Sequence, residues 1–466
     1  MQKIFDEVGS LDQRCYEEFG LSEDILMEHA ASGMVAFICK NFTKDAKIII
    51  VCGSGNNGAD GLALARQLHG NFNVFVLQAK TPSSEMALLQ NARARKIGVK
   101  TVNAIETCDV LVDALVGTGF KGDFSAQHEA LLSQMNQSNA FKIACDVPSG
   151  LTSTGECAHT TFVADVTLTM GALKRSMFLD EAKEFVGAIE VLSLGVSRSV
   201  YETQSNWHLL DLDDLKLPYR TKKDSHKGSY GHLALAYGSK AGASVMSANA
   251  ALRFGAGLVT LVGYENEQVL NIPPILMYSH DLPFNTTAIA LGMGLGEEFS
   301  DLELENFLDN WLPIVADADI FTMPILAKIL KREKVVLTPH AKEFAELLKR
   351  AGIADISVST LQKNRFEYVE AFCEKFPHVT LLLKGANVII AKGDEFFINP
   401  HGTPSLAKGG SGDVLSGLIG ALLAQGEEPF SAARNASLAH TKLAQLYTGN
   451  DFSLTPYDLI EAIGKL

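Results

Sequence analysis

Along the first half of the chain, short apolar runs alternate with segments whose apolar residues recur at helical spacing. Ile48–Cys52, Val74–Leu77, Val110–Leu115, Lys142–Asp146, Val166–Met170 and Ile189–Leu194 read as buried strands. Leu62–Leu68, Ala87–Ile97 and His128–Gln137 read as the helices between them. Such alternation predicts a parallel sheet covered on both faces. The pattern weakens over Glu202–Lys223 and resumes near His226, with strands expected at Leu258–Val262, Ala288–Leu291, Lys334–Leu337, Thr380–Leu383 and Val388–Ala391. The fold class expected is α/β, with two doubly wound domains over 1–205 and 206–466.

Two glycine-rich turns interrupt these patterns. Gly53-Ser54-Gly55-Asn56-Asn57-Gly58-Ala59-Asp60-Gly61 follows a strand and precedes a helix, which is the context of a dinucleotide-binding turn. The next strand, however, ends in Gln78-Ala79-Lys80, with no acid to hold a ribose. An ordinary dehydrogenase is therefore disfavoured, and an Asn-Gly structural turn is the plain alternative. Near the C-terminus, Gly409-Gly410-Ser411-Gly412-Asp413 runs straight into an apolar helix. Free backbone N–H groups and a helix dipole there would cradle an anion, and Asp413 could take a proton from a hydroxyl facing it. Phosphoryl transfer needs both. Lys408 and the turn Lys384-Gly385-Ala386-Asn387-Val388 extend this to a nucleotide phosphate site, against the plainer reading of a capped helix.

At 466 residues two or three domains are expected, and 47% hydrophobic and 20% charged residues with 39 glycines are the profile of a soluble α/β enzyme. A net charge of −14 without a basic stripe argues against a general nucleic-acid role. Local N–H groups and a few lysines still let an acidic protein bind phosphates. Seven scattered cysteines form no metal or disulfide spacing, which fits a reducing cytosol. The N-terminus lacks a signal core, and the apolar stretch Val414–Ala424 is too short to span a bilayer. A cytoplasmic protein with no membrane partner is expected.

Ligands of an open parallel sheet bind beyond the carboxyl ends of its strands. Polar residues gather at four such ends: Asn56, Asn57 and Asp60; Asp113; Asp146 to Gly150; and Lys174. Each Asp alone reads equally well as a turn cap. Together, Asn57, Asp113 and Ser149 offer oxygens suited to a hard, weakly hydrated cation. The run Gly117-Thr118-Gly119-Phe120-Lys121-Gly122-Asp123 would form a second anion loop.

These motifs resemble the N-terminal epimerase domain of the NAD(P)H-hydrate repair enzymes. The similarity rests on Asn56 to Leu62, on Asp113-Ala114-Leu115-Val116-Gly117-Thr118-Gly119 and on Asp146-Val147-Pro148-Ser149-Gly150-Leu151, with Ala59 where the family usually has Gly. It implies a Rossmann-like domain that binds K⁺ through Asn57, Asp113 and Ser149. Asn56, Asn57, Gly58, Ala59, Asp60, Gly117 to Asp123 and Asp146 would hold the damaged cofactor, with Asp146 as acid/base.

The second half resembles the ribokinase-like dehydratase of the same family. The matching pieces are His226 to Gly231, Gly255-Ala256-Gly257-Leu258-Val259, Gly292-Met293-Gly294-Leu295-Gly296, Asp317-Ala318-Asp319, Thr338-Pro339-His340, Lys384-Gly385-Ala386 and Gly409 to Gly417. Lys342, where the family favours Gly, and the segment Gly238 to Gly242 depart from the pattern. The resemblance implies a substrate site containing Gly257, Gly294, His340 and the catalytic Asp413. Lys384 to Val388 and Lys408 to Ser411 with Gly412 would hold ADP or ATP, with Mg²⁺. The expected function is repair of hydrated NADH and NADPH. The first domain would interconvert the R and S hydrates, and the second would dehydrate the S form, releasing NAD(P)H, phosphate and AMP. A homo-oligomer is expected. The alternatives are a small-molecule kinase with a regulatory N-terminal domain, and a nucleotide sensor without turnover, which would leave Asp413 without a task.

Overall fold

The computed structural model describes residues 1–120, 122–264 and 272–466. They fall into two compact units, one of Gln2–Ser205 and one of Asn206–Leu466 with Met1.

In the first unit seven parallel strands run in the order Lys100–Val102, Asn73–Gln78, Lys47–Cys52, Val110–Ala114, Phe141–Cys145, Val166–Met170, Ala188–Leu192. Side chains alternate across the sheet. Ile48, Ile50 and Val112 enter one core with Met34 and Leu64. Ile49, Val51 and Leu111 enter another with Leu132 and Met135. Both faces are therefore covered, as parallel sheets require. The order in which strands are added reverses between Lys47–Cys52 and Val110–Ala114, so a crevice opens there beyond the strand ends.

The helix after Lys47–Cys52 differs from expectation. It spans Asn56–Leu68, so Asn56 to Asp60 form its opening turns and not a loop. Glycine permits this by close approach. A Cβ on Gly58 would lie 2.2 Å from Gly53 O, and one on Gly61 would lie 2.6 Å from Ala114 Cβ. Asp146 stands just past its strand with φ of 70°, a left-handed conformation uncommon outside glycine. A short parallel pair, Gln2–Phe5 with Leu173–Lys174, completes the unit.

In the second unit the parallel order is Met277–Ser279, Leu258–Val262, His232–Ala236, Ala288–Leu291, Ile314–Ala316, Val335–Leu337, Thr380–Leu383. Its switch point lies between His232–Ala236 and Ala288–Leu291. Val388–Lys392 and Glu395–Asn399 then pair antiparallel. The sequence pattern treats Val388–Ala391 as one more strand of the doubly wound sheet. Its connection, Lys384 to Asn387, is too short for a parallel crossover, so the strand returns as a hairpin.

Helix Ser411–Ala424 is buried at every residue except Gly412 and Asp413. It packs tightly on Ala241–Arg253. A Cβ on Gly417 would lie 2.2 Å from Ser247 O, and Ser247 Oγ donates to Asp413 O at 2.7 Å. The helix–helix contact thus fixes the height of the Asp413 turn. Gly417→Ala should overpack this crossing and destabilise the second unit by about 1–3 kcal/mol. Calorimetry should show a lowered unfolding midpoint, and an unchanged midpoint would refute the close-packing account.

Candidate functional site

In the first unit Asp113 ends its strand fully buried. Its Oδ2 accepts from Ser149 N at 2.7 Å, and its Oδ1 from Ser149 Oγ at 2.7 Å and Leu115 N at 3.1 Å. Burial pushes the Asp113 carboxyl up to about 6 against the lowering effect of these donors. Ser149 Oγ also accepts from Val116 N at 2.9 Å, tying the turn to the loop that carries Gly117. The Asn57 side chain has both its oxygen and its nitrogen buried without a hydrogen-bond partner. A Cβ on Gly117 would lie 3.4 Å from Asn57 Cβ, so Asn57 faces the same loop. Buried polar atoms are rarely left unpaired, and an oxygen so placed is suited to an ion.

Asn56 donates to Glu23 Oε1 at 2.5 Å. Phe120 is buried and stacks on Phe124 with ring centroids 4.3 Å apart. Gly122 has φ of 81°, Asp123 is exposed, and Lys121 lies outside the described residues. Burial raises Asp60 well above the usual carboxylate range, reinforced by the charges of Asp146, Asp12 and Glu23. Asp146 pairs with Lys174 at 2.6 Å.

In the second unit Asp413 occupies the first turn of Ser411–Ala424, behind Gly410 at φ of 91°. Burial, then repulsion from Asp317, pushes its carboxyl up to about 6, with Lys384 working against the rise. Asp317 is 2% exposed and accepts from Lys384 Nζ at 2.8 Å and Ser416 Oγ at 2.8 Å. Although burial opposes its charge, Asp317 and Glu343 raise Lys384 above the ordinary lysine value. Asp319 accepts from Gly296 N at 2.9 Å, which draws the Gly292–Gly296 loop, including Gly294, to the same strand ends. Ala318 between the two acids has φ of 48°, a strained position of the kind found at functional sites. Ser411 Oγ meets the buried His440 Nε2 at 3.1 Å.

Several expected residues lie elsewhere or do something different. Gly257 precedes Leu258–Val262, and its N–H bonds to Tyr230 O at 2.9 Å. That is the amino end of the strands, whereas Asp413 feels Asp317 just beyond the carboxyl end of Ile314–Ala316. The role of Gly257 is close approach: a Cβ there would lie 1.7 Å from Lys227 O. His340 caps helix Ala341–Arg350, its Nδ1 accepting from Lys342 N at 3.1 Å and Glu343 N at 3.2 Å. Lys408 donates to Phe452 O at 2.6 Å, outside the acid cluster. Gly385 to Asn387 form the hairpin turn before Val388. Asp317, Ser416 and His440 belong to the cluster, although sequence reasoning gave them no role. Asp317 was legible only in the Asp317-Ala318-Asp319 spacing and Ser416 only inside the run Gly409 to Gly417.

Residues 23–176 match the family described as YjeF-related protein N-terminus, and 234–465 match the family described as NAD(P)H-hydrate dehydratase. The bifunctional NAD(P)H-hydrate repair enzyme of Helicobacter pylori is 44% identical, with 100% of both chains covered. That of Coxiella burnetii is 33% identical, covering 93% of this chain and 92% of the relative. That of Escherichia coli is 30% identical over 95% of this chain and 88% of the relative. Identity at this level along the whole chain, on two units that each gather acids at strand ends, shows that the chain belongs to the bifunctional NAD(P)H-hydrate repair enzymes.

Proposed function

We propose that Gln2–Ser205 epimerises the C6 hydroxyl of hydrated NADH and NADPH, and that Asn206–Leu466, a ribokinase-like unit, dehydrates the S epimer using ADP or ATP. The observation that carries the second half is Asp413, a carboxyl held near neutrality in the first turn of a glycine-led helix. Hydroxide is a poor leaving group, but phosphate is a good one. Asp413 accepts the C6 hydroxyl proton as the oxygen attacks the terminal phosphoryl, leaving AMP when ADP is the donor. The ring-nitrogen lone pair then expels phosphate, and loss of a neighbouring C–H proton restores the double bond. The N–H groups of Gly409, Gly410 and Gly412 stabilise the transferring charge, while that of Ser411 donates to Lys408 O at 3.2 Å. Lys384, paired to Asp317, adds positive charge beside Gly412: a Cβ there would lie 3.5 Å from its Nζ. Gly294 and the half-exposed edge of His340 line the substrate side.

Among the described residues no group of three or more His, Cys, Asp or Glu could cage a metal. A Mg²⁺ carried on the nucleotide phosphates, with one or two carboxylates, would neutralise charge there. In the first unit the unpartnered Asn57 oxygen, with Asp113 and Ser149, fits a K⁺ that would order the Gly117 loop. Asn56 to Asp60 and Gly117 to Asp123 would surround the dinucleotide, with Asp146 taking the C6 hydroxyl proton as the bond from C6 to the ring nitrogen opens to the aldehyde, the nitrogen gaining a proton, and giving a proton back to the oxygen when the ring recloses on the other face of C6. The cytoplasm, as the compartment of the nicotinamide pool, and a homo-oligomeric state complete the reading.

Asp413→Asn should keep the fold but lower dehydration about 10²–10⁴-fold, the usual cost of removing a general base. Return of reduced-nicotinamide absorbance from purified S hydrate with ADP measures it. Near wild-type turnover would rule out Asp413 as base. A stable phosphorylated product in place of free phosphate would favour a small-molecule kinase.

A base must be ionised to work, and Asp413 titrates near 6. The dehydration rate should therefore fall as pH drops through about 6, well above the range of an ordinary carboxylate. A pH–rate profile flat down to the ordinary Asp range would overturn this assignment.

For the first unit, full-length Asp146→Asn given mixed hydrates should convert the S fraction at the normal rate, then slow to spontaneous epimerisation. Complete conversion at one rate would remove Asp146 as acid/base.

A further inference from the structure

Lys174 is 1% exposed, yet all three of its ammonium hydrogens have acceptors: Asp146 Oδ1 at 2.6 Å, Thr169 Oγ1 at 2.8 Å and Met170 O at 3.2 Å. Its place is set by the backbone, since the strand Leu173–Lys174 pairs with Gln2–Phe5 and puts Lys174 opposite Phe5. Burying an ammonium is costly unless every donor is used, so this position specifies one arrangement.

The two oxygens of Asp146 are treated differently. Oδ1 also accepts from Met170 N at 3.0 Å and Thr169 Oγ1 at 3.3 Å, giving it three donors with Lys174. Oδ2 accepts no hydrogen bond among the described residues. The Asp146 side chain is 15% exposed. Three donors on one oxygen stop the carboxylate from turning. The left-handed backbone at Asp146, φ of 70°, aims the carboxylate from the strand end.

We propose that Lys174 is a positioning residue for epimerisation: it saturates Oδ1 of Asp146 so that Oδ2 alone exchanges the proton with the hydrate. This rests on the reading of Asp146 as acid/base. Lys174 also works against the rise that burial gives the neighbouring Asp12 and Asp60. Without it Asp146 would lose both its orientation and its counter-charge.

The test uses the full-length chain. The kcat and KM for the R hydrate are read as coupled reduced-nicotinamide formation with the S-specific step in excess. Dehydration of pure S hydrate is the control in each variant. Lys174→Met should lower epimerisation kcat about 10²-fold, the scale of an ångström misplacement, with KM little changed and S dehydration intact. An unchanged kcat, or a raised KM at unchanged kcat, would overturn the proposal. If Lys174→Met loses the thermal transition of the first unit, Thr169→Val decides instead. It keeps the charge but removes one anchor of both Lys174 and Asp146. A several-fold drop in kcat at constant KM supports the proposal, and wild-type kcat overturns it. Should Asp146→Asn itself epimerise normally, the reading of Asp146 fails, whatever Lys174 does.

Discussion

Each unit buries more negative charge than positive at its strand ends, and one lysine in each makes this tolerable. In the first unit Lys174 stands against Asp146, with Asp12 and Asp60 close enough to feel both. In the second, Lys384 stands against Asp317 and Glu343, with Asp413 beside them. Two like charges about 4 Å apart repel by roughly 4 kcal/mol at an effective dielectric near 20. An uncompensated group of acids would relieve that by taking up protons. Burial is the larger cause of the rise in both units, and the lysine works against it. Asp60 is driven towards its neutral form, whereas Asp413 stops near 6.

The sheet supplies the other constraint. Parallel strands bring all their carboxyl ends to one edge, and helices entering from that edge present unpaired N–H groups to it. Glycine makes the approach close enough. Gly58 and Gly61 let Asn56–Leu68 lie against its strands, and Gly417 and Gly420 do the same for Ser411–Ala424 against Ala241–Arg253 and Leu233. The same residues that tighten the core thus hold the starts of these helices at a fixed height. Packing and binding are not separable here.

Periodicity and glycine spacing were enough to read most of the longer strands and the Asp413 turn, because these depend on neighbours a few residues apart, but not Lys100–Val102, Met277–Ser279, Ile314–Ala316 or Glu395–Asn399. Asp113 and Ser149 could be paired from strand-end logic alone, and their carboxylate–hydroxyl contact is made. The start of Asn56–Leu68 was misplaced because a run of Asn and Gly reads locally as a turn. Only packing against Gly53 O and Ala114 reveals it as a helix.

What the chain order could not decide was which end of a strand a motif occupies and what a charged side chain faces. Gly257 sits at the amino ends, a register fixed by its bond to Tyr230 O. His340 is turned into a cap by the backbone of the helix that follows. Lys384 meets Asp317 from 67 residues away, and Ser416 meets it from 99. Contacts at such separations exist only once strands have paired. The sequence therefore determined the elements and the kinds of chemistry available, while the tertiary structure alone determined which charges would balance one another.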